Sequence, residues 1–250
     1  MNQDGLDEVR EFWDRVASDW EIQVGAHGDD NRRLNSDPVL WDFAGDVLGL
    51  DVLDAGCGTG YLTAQLSARG AKVVGVDLSD NMIAIAREHA PDLDFRVDSV
   101  TSLGSVGDRQ FDLIVSNYVL MDVPHLQDTM DAFHRVLRSG GAAVLVFSHP
   151  CFPQGGRRES PDGVIGYVWD RPYFEPHKVV DPPWKHFTSE FIWFHRPLSD
   201  YWKAFRSAGF MVTRFEEPRI TPDRFHLASS ARKLTSSRTR PYSVAFRLEK

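Results

Sequence analysis

The chain has 250 residues, 42% hydrophobic and 26% charged, with a formal net charge of −8. That length fits one α/β domain with insertions and is enough to bury a sizeable core. The acidic balance argues against a nucleic-acid partner, whose binding is dominated by phosphate neutralisation. No apolar run approaches the ~20 residues that span a bilayer, and the two cysteines, Cys57 and Cys151, offer neither a disulfide framework nor metal-ligand spacing.

In chain order, Leu6, Val9, Trp13, Val16, Trp20 and Val24 recur at spacings of three and four, which predicts an amphipathic helix. The N-terminus, Met1 to Arg10, is acidic and polar and does not read as a signal peptide, so a cytoplasmic protein is expected. Residues 25–38 are polar and turn-rich, and a short helix is predicted over 39–48. Residues 1–50 therefore read as a helical cap, with twelve acidic and four basic side chains.

Alternation begins at Val52. Strands are predicted over 52–56, 72–77, 94–97, 111–117 and 142–148, with helices over 60–69, 80–89 and 125–138 between them. Continuous apolar strands separated by helices imply a parallel sheet with right-handed crossovers. After 150 the pattern changes. Residues 150–197 hold ten aromatics, among them Tyr167, Trp169, Tyr173, Trp184 and Trp193, with prolines that argue against a long helix. A helix over 198–208 and strands over 210–216 and 244–248 complete the sheet, the last two as an antiparallel pair. The segment between them, 229–240, reads as a loop, and its basic residues as solvated charges.

The chemistry concentrates in Val52-Leu53-Asp54-Ala55-Gly56-Cys57-Gly58-Thr59-Gly60 and, seventeen residues on, Asp77 at the end of Val73-Val74-Gly75-Val76-Asp77. A glycine turn lets the backbone approach a ligand closely. A carboxylate at the end of the neighbouring strand can accept hydrogen bonds from a ribose diol. Dinucleotide folds space their glycines G-x-G-x-x-G; here the spacing is G-x-G-x-G, and Asp54 would repel a pyrophosphate but suit an ammonium. The segment resembles motif I of the class I S-adenosylmethionine-dependent methyltransferases, and an NAD-dependent reductase is the competing reading.

That resemblance implies an α/β fold: a Rossmann-like seven-stranded, mostly parallel sheet with an antiparallel final hairpin and helices on both faces. It divides the chain into the cap (1–50), a cofactor-binding core (51–149), an aromatic-rich substrate lid (150–197) and the rest of the core sheet (198–250). S-adenosylmethionine is the implied cofactor. Gly56, Gly58 and Gly60 would pass beneath its methionine part, near Asp54 and Asn117, and Asp77 would hold the ribose. Met82 packs on the adenine or simply fills its helix, while Asp98 and Ser99 meet the adenine edge. Arg33 would pair with a carboxylate, and Trp13 or Trp20 would close over the cofactor or pack in the core.

The implied activity is methyl transfer to a small-molecule acceptor at oxygen, with N- or C-methylation, or cofactor binding without transfer, as alternatives. His149, at the carboxyl end of strand 142–148, is the candidate general base. His125 reads as a structural residue at a helix start. No metal, nucleic acid or membrane partner is expected, and the chain would be a monomer or homodimer.

Overall fold

The computed structural model describes residues 3–152, 157–160, 165–168 and 171–250. Helix α1 (Gln3–Val24) leads through a π-turn (Arg32–Ser36) into α2 (Asp37–Ala44). Then come β1 (Asp51–Ala55), α3 (Tyr61–Ala68), β2 (Lys72–Asp77), α4 (Asp80–His89), β3 (Asp94–Val97), β4 (Phe111–Asn117), α5 (Leu126–Val136) and β5 (Leu137–Ser148). Two hairpins follow, β6 (Arg157–Glu159) with β7 (Ile165–Tyr167), and β8 (His177–Asp181) with β9 (Phe191–His195). Helix α6 (Leu198–Ser207), β10 (Met211–Glu216), a 3₁₀ turn (Pro222–Leu227), α7 (Ala231–Thr239) and β11 (Ser243–Glu249) close the chain.

The main sheet has seven strands in the order β10-β11-β5-β4-β1-β2-β3. β1 to β5 pair in parallel, and β11 runs antiparallel to both β5 and β10. Successive residues of the central strands face opposite layers. Leu53, Ile114 and Leu145 pack towards α5 and α6 with Phe133 and Phe205. Their neighbours Val52, Val115 and Val144 pack towards α2 and α3 with Leu40 and Leu66. Both faces are covered, which is why these strands read as unbroken apolar runs. The seven-stranded mixed sheet predicted from the sequence is the one observed.

Two predicted loops are partly helical. Residues 229–240 contain α7, whose first turn is capped by the Ser230 hydroxyl accepting from Lys233 N at 3.1 Å. Its sequence has little apolar periodicity, and tertiary contacts hold it: Lys233 Nζ donates to Asn31 Oδ1 at 2.6 Å, and Arg238 lies over the Phe225 ring. The stretch 25–38 contains the π-turn, started where Asp29 Oδ1 accepts from Arg32 N at 2.9 Å. Accordingly α2 begins at Asp37 rather than 39, and it ends at Ala44 before Gly45. Trp169, named in the aromatic insertion, lies outside the described residues.

The insertion and the N-terminal helix pack together. Phe12 and Val16 of α1 bury against Phe187, with Trp13, Trp20 and Phe191 around them. The hairpin β8–β9 is tied to the core where Phe194 N donates to Met121 O at 2.7 Å. The carboxyl ends of β1, β2 and β4 thereby acquire a roof.

Candidate functional site

Beyond β1 the chain turns back over β2, with Gly56 N and Cys57 N both donating to Val76 O at 2.8 and 2.9 Å. Gly56 has φ +84, and a Cβ there would stand 2.3 Å from Val119 Cγ2, so only glycine fits. Gly60, at φ +88, lets α3 settle onto Phe95 and Ala86, which would lie 3.0 and 3.1 Å from an added Cβ. The turn is thus held low enough to leave a crevice above it.

Asp77 braces that turn. Its Oδ2 accepts from Gly58 N at 2.9 Å and its Oδ1 from Ser79 N at 3.0 Å. Each carboxylate oxygen has two acceptor directions, so capacity remains for a diol. Burial raises the proton affinity of Asp77, opposed by these two N–H donors. Asp54 is only 2% exposed, accepts from the Thr63 hydroxyl at 2.6 Å, and is pushed by burial up to about 7. A buried carboxylate in this state gains from a cationic ligand group close by.

The crevice, about 100 Å³, is lined by Asp54, Gly56, Gly58, Asp77, Met82, Ser99 and Asn117. These seven predicted site residues are brought together. Asn117 donates from Nδ2 to the Ser36 hydroxyl at 3.2 Å, while its buried Oδ1 has no hydrogen-bond partner. Trp13 and Trp20 form the roof, the Trp20 Nε1 lying 3.7 Å from where a Gly58 Cβ would be. A low glycine floor, a carboxylate at the end of β2, a buried acid beside the turn and an unsatisfied amide oxygen suit a nucleoside that carries a cationic tail.

Four predicted residues stand elsewhere. Gly60 serves helix packing and does not line the crevice. The Asp98 carboxylate faces its own loop, accepting from Ser99 N at 2.8 Å, Ser105 N at 2.8 Å and the Ser105 hydroxyl at 2.6 Å. Arg33 points outward, its side chain 40% exposed and paired with Asp30 at 2.9 Å. The guanidinium at the crevice is that of Arg32, 7% exposed and stacked over Trp20 and Tyr118. At the π-turn Asp29 holds Arg32 inward at 3.5 Å, while Asp30 draws the neighbouring Arg33 outward.

His149 lines a second, wider cavity of about 690 Å³ beneath the β8–β9 hairpin. Its Nδ1 accepts from Cys151 N at 3.1 Å, so Nε2 carries the proton and donates to Glu217 Oε1 at 2.7 Å. Burial lowers its proton affinity, and Glu217 opposes that. With both nitrogens engaged, the ring has no lone pair left for a substrate proton; the geometry does not fit the base role assigned to it from sequence. Tyr118, Arg32 and Asp122 are site residues that sequence reasoning missed. Asp122 had a usable signal, since it follows the carboxyl end of β4 by five residues. Among the described residues no three of His, Cys, Asp or Glu come together as a metal site.

Residues 53–145 match the family model described as a methyltransferase domain. That stretch of the chain is similar to a methyltransferase domain. Its fold is also that of a solved S-adenosylmethionine-dependent methyltransferase from Mesorhizobium loti, with a TM-score of 0.72 at 23% identity over 85% of this chain and 96% of that one. Among curated relatives, a malonyl-[acyl-carrier protein] O-methyltransferase of Hamiltonella defensa is 32% identical over 138 residues, 55% of this chain and 50% of that protein. A demethylmenaquinone methyltransferase of Renibacterium salmoninarum is 32% identical over 149 residues, 58% of this chain and 61% of that protein. The chain spans about two-fifths to three-fifths of the length of curated relatives it matches. The methyltransferase-domain match ends at residue 145, before the insertion that walls the wide cavity.

Proposed function

We propose that this chain is an S-adenosylmethionine-dependent methyltransferase whose acceptor is a small molecule methylated at oxygen. One observation carries the reading: the glycine turn braced by Asp77 opens a crevice that shares a wall with the wide aromatic cavity. In open α/β sheets, ligands sit beyond the carboxyl ends of the strands, and both cavities lie there. When bound, S-adenosylmethionine supplies an electrophilic methyl group.

The protein's part is to hold and orient. Asp77 accepts the ribose hydroxyls while keeping its brace on Gly58. Met82 and Ser99 border the adenine. Asp54 faces the ammonium, with Asn117 beside it and Arg32, instead of Arg33, as the nearby guanidinium. Asp98 acts indirectly by fixing the loop that presents Ser99. Trp13 and Trp20 exclude water from the crevice, which strengthens each of these charged contacts.

An acceptor held in the wide cavity meets Trp184, Trp193, Phe191 and Tyr242, walls suited to a planar or apolar compound. Oxygen as the acceptor atom is supported by the name of the Hamiltonella relative. Calorimetric titration with S-adenosylmethionine, its demethylated product and NADH tests the reading. Binding of the first two is expected, and binding of NADH alone would overturn it.

A further inference from the structure

The crevice and the wide cavity meet along a common wall made of Trp13, Trp20, Arg32, Tyr118 and Asp122. If the cofactor occupies one cavity and the acceptor the other, methyl transfer takes place at this wall. Asp122 is the only one of the five with a side chain that can serve as a Brønsted base; the Tyr118 hydroxyl is buried, shares a 2.7 Å hydrogen bond with the Ser243 hydroxyl and holds its proton more tightly than usual. Resting on the methyltransferase reading above, we infer that Asp122 is the catalytic base of the reaction and that the acceptor is a phenolic hydroxyl.

The position of Asp122 is fixed on both sides. Its own N–H closes a turn onto Val119 O at 2.8 Å. Met121 O accepts from Phe194 of β9, and Arg196 Nη2 donates to the carbonyls of Val123 and Pro124, the latter at 2.9 Å. No hydrogen-bond donor meets the Asp122 carboxylate among the described residues. The charged and titratable groups around it are Asp77 from the end of β2, Arg196 after β9, Tyr201 from α6 and Arg32 from the π-turn. Burial raises its proton affinity well above that of an ordinary aspartate, Arg196 opposes the shift and Asp77 adds to it.

That environment also selects the acceptor. A carboxylate acceptor is already ionised at neutral pH, and a neutral amine attacks through its lone pair before losing a proton; neither needs a base. A hydroxyl does. An ordinary aspartate near ~4 is a poor match for a phenol near ~10, and raising its proton affinity narrows that gap. An aliphatic alcohol is a much weaker acid and stays out of reach. The indoles of Trp184 and Trp193 offer flat faces for the ring, Trp193 being held by its Nε1–H donating to Asp181 at 2.7 Å.

The phenol O–H bond breaks and its proton passes to a carboxylate oxygen of Asp122. An oxygen electron pair forms the bond to the methyl carbon, and the carbon–sulfur bond breaks with its pair kept by sulfur. The products are an aryl methyl ether and S-adenosylhomocysteine, and Asp122 releases its proton to solvent once they depart.

The test uses the full chain with radiolabelled S-adenosylmethionine and a panel of catechol, 4-hydroxybenzoate, 2-naphthol and aniline. Methylation of at least one phenol is expected. Asp122→Asn should lower kcat about 100-fold or more, leave the affinity for S-adenosylhomocysteine within a few-fold, and move the rising limb of the pH profile to the phenol's own ionisation. Asp122→Glu should restore part of the rate. Independently of turnover, carboxyl ¹³C NMR of the aspartate-labelled, S-adenosylhomocysteine-bound protein should show, among the aspartate signals titrating above the usual range, one that is lost in Asp122→Glu. The inference is overturned if Asp122→Asn keeps its rate, if that signal persists, or if the protein binds S-adenosylhomocysteine but methylates only aniline or nothing. Failure to bind S-adenosylhomocysteine at all would instead sink the methyltransferase reading beneath it.

Discussion

Two buried carboxylates set what the crevice can bind and at which pH. Burial pushes the Asp54 carboxyl up to about 7, whereas an unfolded aspartate titrates near ~4. A cationic ligand group stabilises its ionised form, so bound protein must have a lower value. The sign follows: binding is proton-linked below about 7, where the ligand has to displace a proton, and independent of Asp54 above it. We expect affinity for S-adenosylhomocysteine, measured calorimetrically from pH 5.5 to 8.5, to fall by up to about tenfold per unit below pH 7. The Asp54→Asn variant should flatten much of that slope; an unchanged slope would remove the ammonium from Asp54. Asp77→Asn should weaken the same ligand by about 1–3 kcal/mol, the cost of leaving hydrogen-bonding partners unsatisfied, and unaltered binding would deny it the ribose. Both carboxylates were legible in the sequence because each is fixed by a strand end. Arg32 was not, because a π-turn in a polar stretch has no periodic signature, and Asp29 and Asp30 decide which of two adjacent arginines faces inward.

Elements carry the next level of constraint. The β1–α3 turn works only if Gly56 can adopt φ +84 beneath Val119. Gly56→Ala therefore combines an unfavourable backbone with a steric clash, and each is worth about 1–3 kcal/mol. Thermal unfolding should shift downward accordingly, and ligand affinity should fall with it because Gly58 N–H moves relative to Asp77. A variant that melts with the wild type would mean that the turn is less constrained than its geometry implies. Strands β1 to β5 and helices α3 to α5 were readable to within a few residues, since burial on both faces writes a continuous apolar pattern. Helix α7 was hidden because its residues are mostly Ser, Thr, Arg and Lys; beyond its local Ser230 cap it is held by Lys233 on Asn31, a contact with chain 202 residues away. His149 shows the same limit in the site. A strand-end histidine is visible from sequence, but the Glu217 carboxylate and the Cys151 N–H that occupy its ring are not.

At the scale of the whole molecule, the crevice is smaller than its proposed contents. About 100 Å³ lies well below the ~300 Å³ of an ordinary small-molecule pocket, and Trp13 and Trp20 of α1 line it. Helix α1 must therefore move for a nucleoside to enter. Besides its apolar packing on Phe187, it is held by a polar latch onto the start of α4, where Asp14 Oδ1 accepts from the Ser79 hydroxyl at 2.5 Å and from Asn81 N at 3.1 Å, while Asn81 Nδ2 donates to Asp14 O at 2.9 Å. Ser79 N also donates to Asp77, so the latch and the Asp77 carboxylate share a residue. Removing the Asp14 carboxylate lowers the cost of opening without touching the crevice lining. Hydrogen bonds to a charged group are worth about 1.5–3 kcal/mol, so Asp14→Ala should speed both entry and escape of S-adenosylhomocysteine by about tenfold or more, with a smaller change in affinity. Stopped-flow tryptophan fluorescence reads both rates, because Trp13 and Trp20 line the crevice. Rates equal to those of the wild type would show that the ligand enters by a route that leaves α1 in place.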